Sequence, residues 1–137
     1  MSIEESIDIS VSPAVVMACY KNVPDWPRWD PDTREASIDG PFQAGARGRL
    51  RPAKGFAVPM RFVHVTDTSF TVEASAPFCT MRFEHVLVSI ATGTRATHRV
   101  TFEGPLAFIF EWLVGVRVRL GLPVTMTSLK KWTEQME

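Results

Sequence analysis

The sequence lacks the features that mark several specialised classes of protein. Cysteine occurs only twice, at Cys19 and Cys79, so a disulfide scaffold is excluded and both side chains are expected to be free thiols. Charge of one sign is also lacking, because 15 basic and 15 acidic residues cancel, and we expect no nucleic-acid partner. No uncharged apolar run approaches the roughly 18 residues of a membrane span, and the first residues show no export signal. We therefore expect a cytoplasmic protein with no transmembrane segment.

The composition that is present fits one folded domain. The 137 residues, of which 45% are hydrophobic, are enough to bury one substantial core. No internal repeat or low-complexity stretch divides the chain. We predict a single domain over residues 1–137.

The first quarter of the chain predicts a strand followed by two short helices. Strict alternation over residues 6–12 is typical of a strand. Ser12 and Pro13 are typical of a helix start, and the helix is expected to run from Ala14 to about Lys21. The proline-rich residues 25–31 allow one further helical turn, with two tryptophans on one face.

From Thr33 onward the pattern favours β-structure. Short turns separate the strands, so neighbours in the chain are expected to pair antiparallel as a meander. The predicted strands cover about 34–40, 46–52, 57–66, 69–76, 80–90 and 94–103.

The last third of the chain changes to a helical period. Residues 106–114 are apolar almost all round and predict one short helix, which could be a lid, a core element or an interface. After Gly115 an apolar stripe at alternating spacings of four and three predicts a long helix, which Pro123 should kink or begin. Such a helix across the concave face of a curved sheet gives an α+β fold, with a cavity expected between helix and sheet.

The histidines are the strongest functional candidates in the sequence. His64, His85 and His98 each share strand parity with large apolar residues, so all three are expected to point inward. Pairing around the turn at Thr92 places His85 opposite His98 or, in a register shifted by two residues, diagonal to it. The same construction places Phe70 opposite His85, and His64 opposite Phe70. The three imidazoles would form one interrupted row.

This row of histidines has three interpretations. Imidazoles lining a pocket could act as general acid or base on an enolisable ketone, with His85 and His98 as the catalytic candidates. Alternatively, each ring is satisfied by a neighbour at the edge of the core. A metal site is not expected, since Phe70 holds His64 too far away to complete three ligands. No cofactor is predicted.

Aromatic and arginine side chains give weaker signals. Trp26 and Trp29 could close the core or form the mouth of a pocket, and the inward phenylalanines could stack on a flat ligand or simply pack. Arg47, Arg49 and Arg51 share one strand face, which we expect to be solvated unless one guanidinium turns inward to hold a ligand carboxylate or enolate.

Several local patterns resemble the SRPBCC superfamily, specifically its polyketide cyclase/dehydrase and lipid-transport branch, over essentially the whole chain. They are Ser12-Pro13, the segment Trp26-Pro-Arg-Trp29-Asp-Pro31, the spacing of Gly45 and Gly48 after Phe42, Phe102-Glu-Gly104-Pro105, and Ser128 to Glu134. The resemblance implies a START-like, helix-grip fold with a deep pocket for a hydrophobic small molecule. It carries no catalytic motif, so it implies no particular reaction.

Three functional hypotheses follow, for a monomer or a homodimer. The first is a binding or transport module for a small aromatic, polyketide-like or lipid ligand. The second is a polyketide cyclase, aromatase or dehydratase that uses the pocket histidines. The third is a protein-interaction module with a filled cavity. The predicted ligand-binding residues are Trp26, Trp29, Phe62, His64, Phe70, Phe83, Phe102, Leu122 and Met126.

Overall fold

A computed structural model describes residues 2–136, so the two terminal residues of the predicted domain lie outside the described residues. Seven strands form one antiparallel sheet in the order β1-β7-β6-β5-β4-β3-β2. The meander is confirmed, and β1 returns to the far edge beside β7. The strands are β1 Ser2–Ile9, β2 Thr33–Asp39, β3 Arg47–Pro52, β4 Val58–Val65, β5 Ser69–Ala76, β6 Cys79–Ile90 and β7 Gly93–Glu103.

The opening strand differs most from its prediction. It was expected over residues 6–12, but it begins at Ser2 and ends at Ile9, because all eight of its residues pair with β7. The charged residues at its start show no clear strand pattern. Hydrogen bonds to β7 hold them in an extended conformation.

Helices fill the two chain segments that leave the sheet. After β1 come α1 (Pro13–Lys21), a 3-10 turn (Val23–Asp25) and α2 (Trp26–Trp29). Ser12 is at the N-cap of α1 as predicted, but its side chain makes no capping hydrogen bond. After β7 come α3 (Ala107–Leu113) and α4 (Gly115–Gln135), and Pro123 lies inside α4 rather than at its start.

The apolar core has two clusters. The main cluster joins α1, α2 and the second half of α4 to the inner face of the sheet, with Phe62 and Phe70 fully buried at its centre. A smaller cluster joins Phe102 and Val100 to α3 and the start of α4. Phe83 packs against both clusters and so marks the boundary between them. The fold is therefore α+β and helix-grip-like, with a long C-terminal helix.

Both cysteines are free and buried, as expected. None of the helices within residues 2–136 is long and apolar enough to cross a bilayer.

Candidate functional site

His85 and His98 lie side by side on the inner face of the sheet. They are directly opposite each other in the β6–β7 register, which is one of the two predicted registers, and their ring centroids are 4.4 Å apart. The side chain of Tyr20, from α1, reaches the same place and shares a 2.7 Å hydrogen bond with Nε2 of His98. His85 stacks on Phe70 at 3.9 Å between centroids. Three elements therefore build one polar cluster inside an aromatic wall.

Packing keeps the histidine pair neutral. Burial lowers the pKa of His85 to about 4, although backbone hydrogen bonds act in the opposite direction. Burial lowers the pKa of His98 as well, with repulsion from His85 as a second cause. Burial also raises the pKa of Tyr20, so its hydroxyl keeps its proton.

The hydrogen bonds set the roles of the ring atoms. Nδ1 of His85 lies 3.3 Å from the carbonyl oxygen of Phe70, so the neutral ring carries its proton on Nδ1 and donates it to that carbonyl. Nε2 of His85 is then the lone-pair nitrogen. In a neutral site such a nitrogen can accept a hydrogen bond or a proton from a bound molecule.

His64 is not part of this cluster. Phe62 pairs with Val72 but His64 pairs with Thr71, so Val63 is an extra residue in a β-bulge. The bulge reverses the alternation of side chains, and Val65 rather than His64 lies opposite Phe70. His64 is exposed on the outer face. Its predicted inward orientation and its pairing with Phe70 are therefore wrong, and its exposed position does not support its predicted place among the ligand-binding residues.

Most of the other predicted residues surround the histidine pair or continue its wall. Trp26 contacts Phe62 and Phe70 through its ring, and its indole N–H donates to the Tyr20 carbonyl at 2.9 Å. Met126 is buried in the same main cluster, whereas Phe102 belongs to the smaller one. Leu122 is buried on α4, facing inward.

Trp29 differs from Trp26 in one respect. Its ring packs edge-on against Tyr20, with centroids 5.8 Å apart, and the residue is buried. Its indole N–H is buried without a hydrogen-bond partner among residues 2–136. An unpaired buried donor costs about 1–3 kcal/mol, so this group favours an acceptor atom beside it.

The inner face of β6 is less covered than its neighbours. Met81, Phe83 and His85 point inward from this central strand, yet each is only partly buried. The inward residues of β5 and β7 on either side, such as Val72 and Val100, are buried. The inner face of β6 therefore keeps surface that the helices do not cover completely, from His85 to Met81 beside α3.

Two shallow depressions elsewhere carry no comparable chemistry. One, of about 520 Å³, lies on the outer face of β1, β6 and β7, where its charged residues pair with one another, as Arg99 does with Glu4. The other, of about 410 Å³, lies beside the loop between β2 and β3. Arg47, Arg49 and Arg51 are exposed, which agrees with the expected solvated face and not with an inward guanidinium.

Sequence reasoning missed Tyr20 and Asp30. Tyr20 is four residues after Val16 on the buried face of α1, and this helical spacing could have identified it. Asp30 accepts hydrogen bonds from Thr33 at 2.7 Å and from Thr125 of α4 at 3.0 Å. It thereby fixes α4 against the chain after α2, and burial raises the pKa of its carboxyl group.

The antiparallel sheet with a long C-terminal helix across it defines a helix-grip-like fold. The profile of the family described as "Polyketide cyclase / dehydrase and lipid transport" matches residues 1–129. The chain belongs to this family. Among curated protein sequences, none matches it.

Solved structures share the fold at low sequence identity. A protein from Nitrosomonas europaea is 16% identical with a TM-score of 0.77, over 100% of this chain and 96% of the other. The structure named Ara h 8.0201 is 15% identical with a TM-score of 0.75, over 97% of each chain. The di-domain ARO/CYC StfQ from the steffimycin biosynthetic pathway is 8% identical with a TM-score of 0.77, over 98% of this chain and 51% of StfQ. At these identities the likeness concerns the fold.

Proposed function

We propose that this protein binds a small hydrophobic molecule, with a ring or an acyl chain, over the inner face of β6 between the sheet and the helices α3 and α4. The observation that carries the proposal is the partial exposure of Met81, Phe83 and His85 on β6, between the buried inward residues of β5 and β7. Apolar walls with a few polar groups at one end are typical of small-molecule sites. The family and the ARO/CYC neighbour support the same class of ligand.

The polar end of the ligand would lie against the histidine cluster. Nε2 of His85 can accept a hydrogen bond from a hydroxyl group, and the Trp29 indole N–H can donate one to an oxygen atom. A molecule with an apolar body and one oxygenated end matches these groups. Neutral histidines also favour an uncharged polar group over a carboxylate, because neither ring supplies a positive charge.

Entry requires one covering element to move, and α3 is the best candidate. No residue of α3 is buried, whereas α4 buries six. An element with so little buried surface opens at low free-energy cost. The contacts that α3 makes in the smaller apolar cluster would then be replaced by contacts with the ligand.

Dye binding tests the location of the site. We expect the protein to bind the uncharged dye N-phenyl-1-naphthylamine and to release it when oleyl alcohol or 2-naphthol is added. Phe83→Trp places a larger ring in the space over β6, so it should weaken dye binding by about tenfold or more, which is about 1.4 kcal/mol. Val88→Trp adds the same ring to the exposed outer face of the same strand and serves as the matched control. Equal dye affinity in both variants would contradict the proposed location.

Proton transfer is a second candidate function, favoured by the lone-pair nitrogen of His85 beside the Tyr20–His98 hydrogen bond. A neutral imidazole can take a proton from the carbon next to a ketone, and the resulting enolate can be reprotonated by the same ring. Deuterium exchange into 2-tetralone, followed by NMR, measures this step. His85→Ala should abolish the exchange but change 2-tetralone affinity by less than about tenfold. Unchanged exchange would exclude catalysis by His85.

A further inference from the structure

One end of the molecule carries large apolar side chains that the fold leaves uncovered. Leu50 pairs with Val58, and Ala76 pairs with Cys79, so the β3–β4 loop and the β5–β6 turn lie at the same end of the sheet. Their tips hold Phe56 and Phe78, which are 91% and 71% exposed.

The helices α3 and α4 extend the same surface. The amide of Leu106, just before α3, donates to the Phe78 carbonyl at 3.0 Å, and Arg117 of α4 donates to the Lys54 carbonyl at 3.3 Å. These contacts place the helices between the two loop tips. We call the resulting surface the apolar end; it comprises Phe56, Phe78, Phe108, Trp112, Leu113, Val116 and Leu120, all more than half exposed.

We propose that the apolar end docks on a lipid bilayer that contains anionic lipid. Its apolar side chains protrude from two loops and two helices, and a bilayer accepts such separate protrusions without a complementary shape. Exposed apolar patches of this size on a soluble domain mark interaction surfaces. The proposal rests on the proposed function in one respect, because a water-insoluble ligand must be exchanged with a membrane.

The charges around the apolar end favour a membrane surface that carries anionic lipid. Lys54 and Arg117 lie beside the exposed aromatic rings. Arg51, the second-last residue of β3, is exposed close to the β3–β4 loop and adds a third basic side chain at this end of the sheet. Two acidic residues of the edge strand β1 are already paired with arginines of β7, as Asp8 is with Arg95 at 2.8 Å and Glu4 is with Arg99 at 2.6 Å. Basic side chains close to a membrane are attracted by anionic headgroups at about 1 kcal/mol each.

Vesicle flotation tests the proposal on the full chain. We expect binding to vesicles of equimolar phosphatidylcholine and phosphatidylglycerol, and weaker binding to phosphatidylcholine alone. Replacing Phe56→Ser together with Trp112→Ser should weaken binding by about tenfold or more, since each side chain contributes about 1.5–3 kcal/mol when buried in lipid. Val88→Ser is the matched control, because Val88 is 52% exposed near the opposite end of β6.

Charge reversal tests the second part of the surface. Lys54→Glu with Arg117→Glu should weaken binding to the anionic vesicles, while Lys131→Glu, near the far end of α4, should not. Wild-type protein that stays unbound in both vesicle types overturns the proposal, and so does a double serine variant that binds as well as the wild type. A dimer that this variant abolishes, without vesicle binding, would assign the surface to a second copy of the chain and would also overturn it.

The same samples separate this proposal from the proposed function. The dye competition by 2-naphthol depends on the interior over β6 and not on Phe56 or Trp112. If the protein does not bind vesicles but 2-naphthol still displaces the dye, only the proposal for the apolar end is contradicted. If the protein binds vesicles but 2-naphthol does not displace the dye, the proposed interior site is contradicted instead.

Discussion

His85 and His98 are two ionisable groups that their surroundings hold in the neutral state. Their rings are 4.4 Å apart, so charging one disfavours charging the other. Tyr20 satisfies Nε2 of His98, and the Phe70 carbonyl satisfies Nδ1 of His85. Each ring is thereby fixed in orientation by a partner that comes from a different element, which is the condition for presenting one defined nitrogen to a ligand.

The histidine pair makes stability depend on pH in a defined direction. The folded pKa values lie below the unfolded value of 6.5, so the unfolded chain takes up protons first as the pH falls. Stability is full above about pH 6.5 and falls below it by about 1.4 kcal/mol per pH unit for each histidine. His85→Phe should remove the part of this pH dependence of the unfolding free energy that His85 contributes.

Urea unfolding of the wild type and the variant between about pH 4.5 and pH 7.5 measures this slope. His64→Gln, on the exposed outer face, is the matched control and should leave the profile unchanged. A wild-type profile that is flat over this range would contradict a histidine pair held neutral in the folded state.

Sequence parity predicted two of the three histidines correctly. The turn after β6 is tight, so counting outward from it placed His85 opposite or diagonal to His98, and the structure has them opposite. The same count failed for His64 because a bulge at Val63 inserts one residue, and no glycine or proline at that position signals it. Tyr20 was missed because the count considered strands, and this residue approaches from a helix.

At the scale of single elements, β3 is held closely between its two neighbours. Gly48 faces inward, and a Cβ atom there would overlap the Ser37 carbonyl oxygen of β2 and touch Met60 of β4. We expect Gly48→Ala to destabilise the fold by about 2 kcal/mol or more, because the backbone of β2 must shift. The change in the urea midpoint measures the effect.

Gly121→Ala is the control for Gly48→Ala. The atoms nearest to the added methyl group in α4 belong to the Asp32 carboxylate, which ends a flexible side chain and can move. Alanine also favours the helix by about 1 kcal/mol, so little net change is expected. If Gly48→Ala were tolerated equally well, the close pairing of β2 and β3 would be incorrect.

The helix α3 should be the least protected helix beside the sheet. It buries no residue, and its neighbours on the sheet, such as Met81, are only partly buried. Hydrogen–deuterium exchange followed by mass spectrometry should show faster exchange in Ala107–Leu113 than in the second half of α4. Adding 2-naphthol should slow the exchange in α3. Exchange in α3 that is as slow as in α4, with or without 2-naphthol, would argue against α3 as the moving cover.

For the whole molecule, the sequence predicted the architecture more reliably than the interior. Turn residues and alternating patterns set the strands and their order, because these signals are local. The division of the core into two clusters depends on which side chains meet across α3, α4 and β6, and no local pattern records it. The aromatic wall was predicted by parity, but the partial exposure along β6 was not.

Imidazole NMR spectra test the central claim most directly, because the three histidines report from both faces of one sheet. On titration with 2-naphthol, the ring resonances of His85 and His98 should shift together, and those of His64 should stay unchanged. Saturating binding that leaves His85 and His98 unperturbed, or that moves only His64, would contradict a ligand site over the inner face of β6.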